Sequence, residues 1–258
     1  MFSFDQRIER ARKLSQAESP AQPLLRVYEK AAGLQRSIAE SLNGAEHSDV
    51  RNLLKFLPQL KTFVASVKSA PLERAIAGLR DDHDRWSELL LRYWECDAEI
   101  SSPAEAFVAY LLLQPYAQHV TAQMKIASDN KTPQCPACGH RAQVSVLREF
   151  NNGAKRSLFC FLCSTEWEFR RVLCPTCGEQ NKDKLPVFSA EDFPQARIEA
   201  CETCKSYVKC IDLSKDGHAV PPVDDLATLT LDLWAEQQGY TRPQPNMFLL
   251  PGPTAQVN

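Results

Sequence analysis

Four Cys-x-x-Cys pairs in the second half of this 258-residue chain constrain its fold more than any other feature. They are Cys135/Cys138, Cys160/Cys163, Cys174/Cys177 and Cys201/Cys204, separated by gaps of 21, 10 and 23 residues. Two intervening residues let a tight turn aim both sulfurs at one ion, with metal–sulfur bonds of about 2.3 Å. The sequence also repeats itself. CPACG at 135–139 answers CPTCG at 174–178, and each is followed by a plainer pair, CFLC or CETC. This register predicts two tandem ribbon modules, each closing one tetrathiolate site. Site 1 is expected from Cys135, Cys138, Cys160 and Cys163, and site 2 from Cys174, Cys177, Cys201 and Cys204. A cross-brace, with the first and third pairs on one ion, is the alternative. Gly139 and Gly178 supply the backbone freedom that points amide N–H groups at the sulfurs.

Modules this small have little core, so metal is expected to organise them. Tetrahedral S4 chemistry suits zinc or a single iron. The CPxCG knuckle resembles that of rubredoxins, which hold one iron. In a chain of this size, clustered CxxC pairs point to metal rather than to disulfides. Cys96 and Cys210 fall outside the register and read as small buried hydrophobes. His140 comes one position too late for a CxxCH haem attachment and reads as a turn residue, a donor behind the ligands.

Residues 1 to about 128 read as helical. Leu24, Tyr28, Ala31, Ile38 and Leu42 share one face, with Pro23 suited to a first turn. A second stripe runs Val50, Leu53, Leu54, Leu57, Leu60, Val64, Val67, and Pro58 should kink or divide it. Trp86, Leu89, Leu90, Tyr93 and Trp94 form a third face. A fourth helix opens with Ser102 as cap and Pro103 at the first position; Pro115 leaves its length open. The polar stretch ASDNKTPQ at 127–134 marks a domain boundary. Beyond it QVSVLREF and TEWEFRRV read as strands, the second with Trp167 and Phe169 on one face. A last helix is expected from Asp224 or Asp225 as cap to Gly239, burying Leu226, Leu229, Leu233 and Trp234. The proline-rich tail after it is expected to lie extended on the surface.

The expected architecture is therefore α plus small β. It comprises a helical domain over 1–130, metal modules over 131–172 and 173–220, and a C-terminal helix and tail over 221–258. The start of the chain has no uninterrupted apolar core for a signal peptide, and no run could span a bilayer, so a cytoplasmic protein is expected. With a net charge of −2 the chain is no basic nucleic-acid arm. P-loop, G-x-G-x-x-G, HExxH, zinc-deaminase and G-x-S-x-G patterns are all missing from the sequence. The DDHD run at 81–84 reads as a solvated helix start. A non-enzyme is expected.

The order CPACG, RSLFCFLCSTEWEFRRVLCPTCG, ARIEACETCKSYVKCIDL and VDDLATLTLDLWAEQQGYTRPQPNMF resembles the formate dehydrogenase accessory protein family, FdhE, over residues 133 to 250. The resemblance implies a cytoplasmic, chaperone-like factor needed for active respiratory formate dehydrogenase, which binds the catalytic subunit of that enzyme. It carries over the eight knuckle cysteines as ligands and favours iron over zinc. It assigns no role to Cys210.

Two other readings belong to different classes. A zinc-ribbon nucleic-acid binder would use Lys131, Arg141, Arg148, Lys155, Arg156, Arg170 and Arg171 as a basic face. A rubredoxin-like electron carrier would use the metal sites themselves.

Overall fold

The computed structural model describes residues 2–42, 49–96, 102–125, 132–151 and 153–250. The N-terminal half is built from α1 (Phe4–Leu14), α2 (Gln22–Leu42), a 3-10 segment (Val50–Phe56), α3 (Leu57–Val67), α4 (Ala70–Leu79), α5 (His83–Trp94) and α6 (Pro103–Thr121). The apolar stripes face inward. Leu24, Tyr28, Ala31, Ile38 and Leu42 of α2, and Trp86, Leu89, Leu90 and Tyr93 of α5, are buried. Pro58 divides its stripe: the 3-10 turns end at Phe56 and α3 restarts with the proline in its first turn, where no N–H is needed. Ser102 caps α6 by accepting from the Glu105 N–H. This helix runs on through Pro115, and every residue from Phe107 to Pro115 is buried. Packing on all sides holds together a ladder that the proline interrupts.

The knuckle half contributes β1 (Ala142–Phe150), β2 (Gly153–Cys160), β3 (Glu166–Glu168), β4 (Val187–Ser189), β5 (Ala196–Ala200) and β6 (Tyr207–Asp212). They form one sheet in the order β3-β2-β1-β6-β5-β4. Each module supplies an antiparallel triplet. The triplets join through parallel β1–β6 pairing, from Val144 against Lys209 to Leu147 against Asp212. The tandem repeat is thus fused at its seam. One consequence is that β1 does not alternate: Gln143 to Leu147 are buried at five successive positions, as expected where a sheet is covered on both faces.

The C-terminal layer departs from the expectation. It consists of two helices, α7 (Pro221–Ala227) and α8 (Leu229–Gln237), broken at Thr228. The buried Lys209 ammonium explains the break, because it donates to the carbonyls of Asp225 at 2.8 Å and Thr228 at 3.0 Å. Neither Asp224 nor Asp225 is the cap. The cap position is Val220, and both carboxylates are fully buried within α7, paired with cations from elsewhere in the chain. Leu226 and Leu229 are buried, but Leu233 is 52% exposed. Gly239 follows the end of α8 with φ of 83°.

The described part of the tail is also not a surface strap. Asn246, Met247 and Phe248 are buried, and the Phe248 ring lies 4.8 Å from Tyr28 and 5.1 Å from Phe107. Most of the expected linker (127–131), Lys131 included, and the last residues (251–258) lie outside the described residues. No helix among the described residues is long and apolar enough to cross a membrane.

Candidate metal centres

All four knuckles fold into the same turn. The residue after each second cysteine has positive φ: Gly139 77°, Ser164 58°, Gly178 78° and Lys205 53°. The first cysteine of each pair donates its N–H to the carbonyl two positions past the second. Cys135 reaches His140 at 2.7 Å, and Cys160 reaches Thr165, Cys174 reaches Glu179 and Cys201 reaches Ser206 at 2.9 Å. The glycines announce two of these turns. Ser164 and Lys205 adopt the left-handed conformation without one, so only the spacing of the cysteines could have revealed them.

The sulfurs gather consecutively, Cys135, Cys138, Cys160 and Cys163 in one group and Cys174, Cys177, Cys201 and Cys204 in the other, rather than as a cross-brace. Within each group they lie within 4.8 Å of one another. A tetrahedral centre with bonds of about 2.3 Å has sulfur–sulfur edges of about 3.8 Å. In site 2, Cys174–Cys204 and Cys177–Cys201 are both 3.7 Å; in site 1, Cys135–Cys163 and Cys138–Cys160 are 3.5 Å and Cys138–Cys163 is 3.4 Å. The donor set fits a tetrahedral ion.

Electrostatics points the same way. In site 1 the neighbouring sulfurs of Cys135, Cys138 and Cys160 drive the Cys163 thiol far down, while burial pushes Cys160 far up. Buried thiols this close cannot all ionise without a cation among them. In site 2, burial works against ionisation of Cys204, but the hydrogen bond with Ser206 helps bring its thiol down to about 7. Thr165 stands in the same relation to Cys163, with its hydroxyl 3.1 Å from the sulfur.

The two sites differ in setting. Cys135, Cys160 and Cys163 belong to the same apolar core as α2, α5 and α6. In site 2, Cys177 is exposed and Cys204 half-buried. His140 occupies the turn of the first knuckle, but its ring nitrogens face carbonyl oxygens rather than sulfur: Nδ1 that of Cys138 and Nε2 that of Tyr93, each at 3.0 Å. It links the knuckle to α5. Cys210 is fully buried, whereas Cys96, expected to be buried, is exposed just past the end of α5, with φ of 61°. Asp82 of the DDHD run caps α5, accepting from the N–H groups of Asp84 and Arg85.

Two family models match this half end to end: "FdhE, central domain" over residues 134–171 and "FdhE, C-terminal domain" over 172–249. Residues 134–249 carry both FdhE domains. Relatives include a Protein FdhE homolog of Aquifex aeolicus, 40% identical over 116 residues (44% of this chain, 41% of the relative). A homolog of Glaesserella parasuis is 30% identical over 202 residues (76% and 64%), and Protein FdhE of Escherichia coli is 39% identical over 119 (46% and 38%). The chain thus spans less than two thirds of the length of these relatives. The crystal structure of the FdhE protein from Pseudomonas aeruginosa shares the fold, with a TM-score of 0.76 over 96% of both chains at 24% identity.

Proposed function

We propose that this chain is a cytoplasmic accessory factor for formate dehydrogenase. It binds the catalytic subunit through a scaffold held by two metal ions and catalyses no reaction itself. The observation that carries this reading is the pair of tetrathiol clusters within the stretch that matches the family. Cys135, Cys138, Cys160 and Cys163 would hold one ion and Cys174, Cys177, Cys201 and Cys204 the other. Four thiolates fill a tetrahedral ion and leave no open position for a substrate, which favours a structural or redox-reporting role. A bound ion supplies the positive charge that lets all four thiolates ionise together. The protein's own share is to fix the turns: the left-handed residues aim the sulfurs, Thr165 places a hydroxyl beside the Cys163 sulfur, and Ser206 places one beside Cys204 and, further off, Cys174. Iron is favoured by the family resemblance, and zinc fits the same donor set.

Affinity capture tests the partner. Tagged chain expressed without oxygen in a formate-respiring host is expected to retain the formate dehydrogenase catalytic subunit, and loss of the gene is expected to abolish formate dehydrogenase activity. No capture, with activity intact, would overturn the reading.

Three residues of the basic face that the nucleic-acid alternative needs are paired with carboxylates in the fold, while Arg141, Arg170 and Arg171 stay exposed. Arg148 pairs with Glu166 and Lys155 with Glu168, each at 2.8 Å, and Arg156 pairs with Glu199 at 2.9 Å. The electron-carrier alternative has one observation in its favour, the exposure of Cys177 in site 2.

A further inference from the structure

Arg7 of α1 is 1% exposed and has no carboxylate within ion-pair distance among the described residues. Its guanidinium donates from Nη2 to the Ser164 hydroxyl at 2.9 Å, rests 4.9 Å from the Phe4 ring centre, and leaves Nε without a partner. A guanidinium keeps its charge inside proteins, and a buried charge without a counter-charge is strongly unfavourable. The buried carboxylates of α7 do not supply one. Asp224 is taken by Arg10, and Asp225 by Lys209 and Arg242.

Directly behind Ser164 is site 1. Ser164 is the left-handed residue that follows Cys163, and its hydroxyl also accepts from Gln114 Nε2 at 3.2 Å. Four thiolates around a divalent ion carry a formal charge of −2, and around a trivalent ion −1. Site 2 can leave such a charge to solvent, whereas site 1 lies in the apolar core. An unpaired buried cation and a buried centre of net negative charge therefore meet across one serine.

We infer that Arg7 is the counter-charge of the metal–thiolate centre at site 1, and that through Ser164 it holds the Cys163 turn in place. The inference rests on the metal occupancy proposed above. Arg7 is a positioning residue and no ligand. With Arg10 three residues further along α1 bound to Asp224, it also makes docking of the first helix depend on the charge state of the site.

The test follows zinc release from the full, zinc-loaded chain into excess chromophoric chelator. Wild type is expected to release its metal in two phases, a fast one from exposed site 2, absent in Cys177→Ser, and a slow one from site 1. Arg7→Met should speed the slow phase roughly 10–100-fold, the usual effect of removing a residue behind metal ligands, and leave the fast phase alone. Arg7→Lys, which keeps the charge, should stay near wild type. That rescue would not follow if Arg7 only filled space. An unchanged slow phase in Arg7→Met overturns the inference and leaves the metal sites standing. A wild-type chain that takes up no zinc or other metal overturns both. If Arg7→Met does not fold, Arg7→Lys decides: release at the wild-type rate supports the counter-charge, and release ten or more times faster overturns it.

Discussion

Arg10 on α1 grips Asp224 on α7 with two hydrogen bonds, Nε to Oδ2 at 3.0 Å and Nη2 to Oδ1 at 2.5 Å. Asp224 is fully buried and accepts the Val220 N–H as well, at 2.7 Å. The pair joins positions 214 residues apart, fastening the first helix to the C-terminal layer. Removing one partner strands the other charge in the interior. Arg10→Ala is therefore expected to destabilise the fold by about 3–5 kcal/mol, and a paired apolar replacement of both residues by much less. Urea denaturation of the single and double variants checks this.

Glu199 makes stability depend on pH. Burial favours its neutral form, but the guanidiniums of Arg156 and Arg197 outweigh burial and, with the Ser145 hydroxyl, hold the carboxyl down at about 2. In the unfolded chain it titrates near about 4.3. A depressed folded value stabilises above the unfolded value, and that contribution is lost as pH falls from there toward the folded one. It amounts to about 3 kcal/mol at neutral pH. Glu199→Gln should therefore be clearly less stable than wild type at neutral pH. The gap should narrow as the pH drops to about 3. A gap independent of pH would contradict the assignment.

The two metal sites should differ in what they hold up. Cys163 is fully buried in the core shared with α2, α5 and α6, whereas Cys177 is exposed. Cys163→Ser is expected to lower the melting temperature of the whole chain. Cys177→Ser should loosen only its own knuckles and leave the helical domain protected from hydrogen exchange. Equal loss of protection in both variants would contradict this division.

Local chemistry was legible in the sequence, and long-range ionic chemistry was not. The cysteine spacing announced the sulfur grouping, Ser102 and Pro103 announced the start of α6, and Pro58 announced the break before α3, because each acts within a few residues. Asp224 and Asp225 read as caps because acidic residues ahead of an apolar run usually are. Their partners Arg10, Lys209 and Arg242 come from other elements, and no periodicity records such pairs. Lys209 drew no reading from the sequence, yet it breaks the last helix in two. The proline-rich tail looked solvated by composition, but Phe248 finds an aromatic pocket made by Tyr28, Phe107 and Tyr110. Arg7 gave no signal at all, since its role depends on a turn 157 residues away.

The most direct test of the account is elemental analysis of protein purified without oxygen, with thiol counting on the same sample. Two metal atoms per chain are expected, with the eight knuckle cysteines blocked from thiol reagents until a chelator is added and each site's protection lost as its metal leaves. A chain that carries no metal and has its knuckle cysteines oxidised in pairs would contradict it.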